Sequence, residues 1–178
     1  MNEVLQAIKE RRSIRRFKAE QVKDEELNTV LEAGTWAPTG HGSQDPWIVA
    51  VQNPEQRATL SKANAEIMGT TSDPFYGAPT QVYVFASRDN DNNVKDGSLV
   101  LGTMMLAAHS IGLGSCWINR VDKMSERDDV KALMKAWGLP DGLVGVGSLA
   151  LGYPSAAPHP GKPRKEGYSR VIKCNHSI

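Results

Sequence analysis

Apolar residues recur along this chain either at helical spacing, about every 3.6 residues, or at every second residue, and the switches between the two lay out its elements. Val4, Leu5 and Ile8 return at helical spacing behind Asn2, whose short amide side chain suits a cap, and predict a first helix ending near Arg11. Leu27, Val30 and Leu31 mark one face of a second helix, capped by Asp24 and stopped by Ala37-Pro38. Residues 48–51 read as a short buried strand. Asn53-Pro54 opens a helix through Leu60 to about Ile67, and residues 81–86 form a strand. From Asn92 to about Gly112 the pattern is apolar nearly all round, at Leu99, Val100, Leu101, Met104, Met105 and Leu106. Such a helix belongs inside a core or between subunits. Gly112 supplies a left-handed stop. Residues 115–118 give a third strand. A helix from Glu126 to Trp137 turns Val130, Leu133 and Met134 inward, and residues 143–151 give a fourth strand.

Four strands and about five helices, with two helices ahead of the first strand and no regular strand–helix alternation, predict an α+β fold rather than a doubly wound one. Two loops interrupt it. Residues 38–46 are turn formers and small polar groups. Residues 70–79 carry Phe75 and Tyr76 at a tip bracketed by prolines. Either a flat ligand covers these rings or the tip folds onto the protein's own surface. From Ser155 the chain is basic, proline-rich and too poor in apolar residues to pack alone, so it dangles or wraps onto something. We expect one domain over residues 1–178, with 155–178 as an extension lying on the core or on a partner subunit.

Composition narrows the function. With 21 basic and 20 acidic residues among 178, the chain has no global positive field for nucleic acid. No apolar run approaches the roughly 20 residues of a membrane span, and the polar start has no signal-peptide core, so a soluble cytoplasmic protein is expected, without membrane or nucleic-acid partners. Cys116 and Cys174 read as two reduced thiols, Cys116 as a buried structural one. His41, His109, His159 and His176 lack ligand spacing, so no metal site is expected. Gly145-Val146-Gly147 lies inside a strand and lacks the turn into a helix that a dinucleotide fingerprint needs. Trp36, Trp47, Trp117 and Trp137 are assigned to core or interface.

The candidate chemistry starts at Arg11-Arg12-Ser13-Ile14-Arg15-Arg16. Guanidiniums stay charged at ordinary pH and fork towards phosphate oxygens. In an extended chain Arg11, Ser13 and Arg15 share one side. They hold a phosphate, or they form a solvated charge run complementing a helix end. Lys162-Pro163-Arg164-Lys165 is a second cationic cluster, which matters if the tail returns to the Arg11 region.

Arg11-Arg12-Ser13-Ile14-Arg15 resembles the opening motif of the FMN-dependent nitroreductase family. The likeness continues in order through Ala37-Pro38-Thr39-Gly40, Gln44, Pro46-Trp47, the segment from Gly112 to Ile118, Gly152-Tyr153-Pro154 and Lys162-Pro163-Arg164. It implies an intertwined homodimer with a mixed or antiparallel sheet of four to five strands packed by helices, and FMN at the subunit interface. It implies NADH or NADPH as reductant, electron-poor small-molecule acceptors such as nitroaromatics or quinones, and ping-pong turnover.

The resemblance carries Arg11, Arg12, Ser13 and Arg15 over as ligands of the flavin phosphate and ribityl chain, with Lys162 and Arg164 added to the phosphate cage. Pro38, Thr39, Gly40 and Gln44 match the segment that reaches the flavin from the other subunit. Gly114 and Ser115 match backbone contacts beside the isoalloxazine ring, and Phe75 and Tyr76 a lid on the substrate side. No side chain is assigned as catalytic acid, base or metal ligand. The chain departs from the family at Gly42, where an asparagine is common, and at Asp45, which separates Gln44 from Pro46-Trp47. Alternative outcomes are a reductive dehalogenase, a flavin-modifying relative, or a non-catalytic flavin- or phosphoanion-binding module.

Overall fold

The computed structural model describes residues 2–172; Cys174 and His176 lie outside the described residues. Helix α1 (Glu3–Glu10) starts where Asn2 accepts a hydrogen bond from the Leu5 amide at 2.9 Å. Helix α2 (Asp24–Thr35) differs from expectation at its start: Lys23 holds the cap position without a side-chain bond, and Asp24 is already helical. Asp24, Glu25 and Glu26 instead complement the positive pole of the first turn. Strand β1 (Trp47–Val51) follows, then α3 (Pro54–Met68), capped by Asn53 and closed by Gly69 in the left-handed conformation. Next come β2 (Thr80–Ser87), α4 (Asn93–Ser110) and β3 (Gly114–Ile118). A four-residue helix, α5 (Val121–Met124), was not expected, being too short to show a period. Helix α6 (Asp128–Ala136) and strand β4 (Leu143–Gly152) complete the order.

The four strands form one sheet in the order β1-β2-β4-β3, every pairing antiparallel. The α+β expectation holds. Alternation along β2 sends Tyr83 and Phe85 to one face and Val82 and Val84 to the other. Tyr83 and Phe85 join Leu60, Met124 and Val130, so α3, α5 and α6 cover that face. Val82 and Val84 join Val30, Leu101 and Met104, so α2 and α4 cover the other. Strand β1 is not fully buried as expected: it pairs only with β2, Trp47 is exposed, residues 48–50 are half-buried and Val51 alone is fully buried. Two of the three glycines of β4 answer to packing. A Cβ on Gly145 would sit 2.3 Å from the Val121 carbonyl oxygen, and one on Gly147 would sit 2.7 Å from the Trp117 ring.

Helix α4 is buried on its sheet side, but Leu99 is 48% exposed and a Cβ on Gly102 would meet nothing within 4 Å. Val4, Leu5 and Ile8 of α1 are exposed too, as is Trp36 at 81%. From Ser155 to Ile172 the tail is exposed and lacks helix or strand. No helix among the described residues is long and apolar enough to cross a membrane.

Candidate functional site

The arginine stretch is extended and stitched onto the sheet. The Ile14 amide donates to the Ser115 carbonyl at 2.9 Å, and Ser13 pairs with Ser115 in an isolated parallel bridge. The Lys18 amide then donates to the Tyr153 carbonyl at 2.9 Å, and the Ser155 amide to the Arg16 carbonyl at 3.0 Å. The stretch therefore lies between the start of β3 and the exit of β4. Ile14 is buried over Gly114, where any Cβ would come within 2.9 Å of the isoleucine side chain.

Arg11, Ser13 and Arg15 are brought together. Burial pushes the Cys116 thiol up, while Arg15, a hydrogen bond with Ser13 and Arg11 all pull it down. Arg11 and Arg15 thus both act electrostatically on one buried thiol, with Ser13 between them in the chain. Within this group the Arg11 Nη1 nitrogen is buried without a hydrogen-bond partner. Leaving a guanidinium N–H unmet inside a protein is costly, and an anionic acceptor would meet it. Arg11 lines a cavity of about 220 Å³ together with Arg12, His109, Ser115 and Pro158. Ser13 and Arg15 line a neighbouring one of about 270 Å³ with Arg16 and His159.

Arg12 behaves differently from its neighbours. Its Nη1 donates to the Lys9 carbonyl at 2.7 Å and the Arg11 carbonyl at 2.8 Å, so it closes the end of α1. The tail runs directly over it: a Cβ on Gly161 would sit 2.2 Å from Arg12 Nη2. Gly161 leads into Lys162, and the two cationic clusters therefore begin at one place. Lys162 and Arg164 are themselves exposed there.

The aromatic pair splits, which corrects one half of the lid assignment. The Asp73 carboxylate accepts from the Phe75 amide at 2.9 Å and the Gly77 amide at 2.7 Å, folding a tight turn. That turn sends Phe75 into the core, its ring centroid 5.9 Å from that of Tyr83. Phe75 is packing, not lid. Tyr76, at φ 57° and 42% exposed, faces outward, and the Arg15 guanidinium lies 6.0 Å from its ring centroid. Gly114 and Ser115 are both buried, at the point where the arginine stretch joins β3.

Pro38, Thr39, Gly40 and Gln44 lie elsewhere in the protomer. Thr39 Oγ1 accepts from the Gln44 amide at 3.0 Å. Thr39 and Gln44 line a cavity of about 490 Å³ with Leu31, Trp47 and Ile48, and none of the arginines borders it. The Gly40 amide donates to Asp96 Oδ1 at 2.9 Å, in the first turns of α4. His109, beside Arg11 and Arg12, is in the last turn of the same helix. From Asp96 to His109 the helix rises about 20 Å. A single protomer thus holds the two groups of candidate residues at opposite ends of α4.

Sequence reasoning missed Asp96 and Asn90, and left Asp45 without a role. Asp45 Oδ2 accepts from the Ser87 amide and from Asn90 Nδ2, both at 3.0 Å, pinning the loop to the β2–α4 turn. Asp96 carries no local signal, since an acidic residue in a first helical turn is ordinary. Among the described residues no group of three or more His, Cys, Asp or Glu could hold a metal.

The family model of the nitroreductases matches residues 8–153. A curated protein of Archaeoglobus fulgidus, named "Putative NADH dehydrogenase/NAD(P)H nitroreductase", is 32% identical over 160 residues, which is 86% of this chain and 87% of that one. The crystal structure of a nitroreductase with bound FMN from Bacteroides fragilis matches with a TM-score of 0.90 at 30% identity, covering 97% of this chain and all of that one. A nitroreductase with bound FMN from Desulfitobacterium hafniense matches with a TM-score of 0.85 at 27% identity, over 97% of this chain.

Proposed function

The chain belongs to the nitroreductase family, and from that premise we propose that it is a flavoprotein oxidoreductase that binds FMN and passes reducing equivalents from NADH or NADPH to electron-poor acceptors such as nitroaromatics or quinones in ping-pong turnover. The observation that carries this reading is the buried Arg11 Nη1 without a partner, beside Ser13 and Arg15. A phosphate monoester is dianionic and supplies several acceptor oxygens, so it fits that donor set. Arg11, Ser13 and Arg15 would hold the phosphate. Arg12 serves mainly to close α1 and to seat the tail, from which Lys162 and Arg164 would add positive charge. Bound FMN would supply the redox-active ring that links reductant to acceptor, a chemistry no side chain of the protein has. The work of the chain is to bind that group, orient it and keep its surroundings electropositive. Tyr76, stacked towards Arg15, would border the acceptor.

A second copy of the chain completes the site in this reading. The loop of Thr39, Gly40 and Gln44 and the arginine stretch sit at opposite ends of α4. Two copies of α4 crossing antiparallel near Gly102, about midway between Asp96 and His109, would bring the loop of one protomer beside the arginines of the other. Leu99 and the open space over Gly102 give that helix face room for a close crossing. The outer edge of β1 has no partner strand among the described residues and borders a cavity of about 520 Å³ with Trp137 and Leu139. Tyr168, Val171 and Ile172 of the tail are exposed and could cover such a groove on the second copy. The extension from Ser155 is then an arm reaching between protomers rather than a loose end.

The test is optical. Purified protein supplemented with FMN should show bound flavin absorbance that bleaches anaerobically on addition of NADH or NADPH and returns with a nitroaromatic or quinone. Protein that stays colourless at saturating FMN would overturn the proposal. Flavin that binds but is never reduced would make the chain a binding module.

A further inference from the structure

A backbone that is not comfortable on its own must be held, and the loop from Thr39 to Pro46 is such a backbone. His41 at φ 55° and Gln44 at φ 51° both occupy the left-handed region without being glycine. Conformations of this kind persist only where their surroundings over-determine them. Inside the loop the polar contacts are the Thr39–Gln44 bond and two short backbone bonds, from the Gly42 amide to the Thr39 carbonyl at 3.0 Å and from the Ser43 amide to the Gly40 carbonyl at 3.1 Å. The rest of the restraint comes from outside.

It comes from two carboxylates sharing one amide. Asp96, 3% exposed, accepts the Gly40 amide on Oδ1 at 2.9 Å and faces Asn90 Nδ2 with Oδ2 at 3.4 Å. The same Asn90 nitrogen donates to Asp45 Oδ2 at 3.0 Å. Asn90 is fixed in turn, its Oδ1 accepting from the Asn92 amide at 2.8 Å. The loop is pressed onto this frame: a Cβ on Gly40 would sit 2.5 Å from Asn92 Nδ2. The frame is anchored in the sheet, because Gly97 packs so close to Val146 of β4 that a Cβ there would come within 2.7 Å of it. A buried carboxylate adds little to folding compared with an apolar residue of the same size. Its use at this spot is to fix where Gly40 and its neighbours stand.

We propose that Asp96, backed by Asn90 and Asp45, is the positioning residue that presents the 38–46 loop of one protomer to the FMN held by the arginines of the other. This rests on the cofactor and dimer reading above. Asp96 does not touch the cofactor; it acts through the Gly40 amide and does so in trans.

Three measurements test it. In flavin-free protein, amide exchange of the peptide spanning 38–46 should quicken in Asp96→Ala and stay near wild type in Asp96→Asn, which keeps an acceptor oxygen for Gly40. The FMN dissociation constant, read by flavin fluorescence, should rise about tenfold in Asp96→Ala and less than about threefold in Asp96→Asn. Asp45→Ala, which frees the other end of the loop, should fall between them and covers the case in which Asp96→Ala does not fold.

Mixed dimers decide the trans claim. Arg15→Ala damages the phosphate end and Asp96→Ala the loop end. A dimer with one of each should keep one site of wild-type affinity, and so half the wild-type flavin. Mixed dimers with no wild-type site, or unchanged exchange and affinity in both Asp96→Ala and Asp45→Ala, would overturn the inference. If wild-type protein itself binds no FMN, the failure lies in the functional reading on which the inference stands, and is recognised as such.

Discussion

The two ends of α4 are finished in opposite ways. At the first turns Asp96 is buried and answered, by the Gly40 amide and by an asparagine that also serves Asp45. At the last turn His109 faces a small cavity where Arg11 keeps a buried nitrogen with nothing to donate to. Each end buries polar atoms of a charged side chain, Asp96 almost whole and Arg11 only in part. The closed end spends them on the backbone of a loop. The open end leaves one donor waiting, which an isolated fold gains nothing from and an anionic ligand would use. Buried polar groups with partners are scaffolding, and those without partners are the better guide to where a ligand goes.

Breaking the open end should have the largest effect on binding and almost none on folding. Arg11→Ala should weaken FMN by about 1.5–3 kcal/mol, or roughly 10- to 150-fold by equilibrium titration, with Tm unchanged or slightly higher because an unmet donor is gone. The closed end should respond the other way round. Asn90→Ala removes the bridge between Asp45 and Asp96 and should cost about 1–2 kcal/mol of stability by denaturant unfolding, whether or not FMN is present.

A third test uses pH on another closed set, in which the Tyr83 hydroxyl donates to Gln81 Oε1 at 2.8 Å and Gln81 Nε2 donates to Ser61 Oγ at 2.9 Å. Burial, and then the charge of Asp73, hold the Tyr83 phenol well above its usual value. The unfolded phenol ionises near pH ~10, so this contribution is complete below that pH and fades as pH rises through the folded value. Tm should fall on going above about pH 10, and Tyr83→Phe should show a shallower fall. The smallest effect is expected midway along the helix. Gly102→Ala should add up to about 1 kcal/mol to helix stability by propensity alone. If two helices cross there, sedimentation should show several-fold weaker dimerisation despite that gain.

Much of this molecule could be read from periodicity. Tyr83 and Phe85 alternate with Val82 and Val84 as a central strand requires, and Gly112 ends its helix in the left-handed way. The alternation of Arg11, Ser13 and Arg15 predicts one shared side, whereas Arg11 borders one cavity with Arg12, and Ser13 and Arg15 border its neighbour with Arg16. What escaped was whatever depends on distant residues. An apolar run does not say whether its strand will lie at an edge, and so β1 was expected to be buried. Phe75 and Tyr76 look alike in sequence, and only the Asp73 turn separates a core ring from an exposed one. Arg12 reads like its neighbours until the carbonyls at the end of α1 claim it. Asp96 meets Gly40 across 56 residues, a distance no local pattern spans. In sequence it passes for an ordinary acidic residue near a helix start.

Trp36 closes α2 with its indole 81% exposed, whereas the Trp137 indole donates to Gln56 Oε1 at 3.0 Å and is partly buried. Such a ring in water emits at long wavelength and is open to collisional quenchers, while one shielded by a neighbour is neither. The chain thereby carries a built-in dye beside the loop that contains Thr39. If the proposed dimer covers Trp36, serial dilution followed by its emission and iodide quenching would report dissociation without any label.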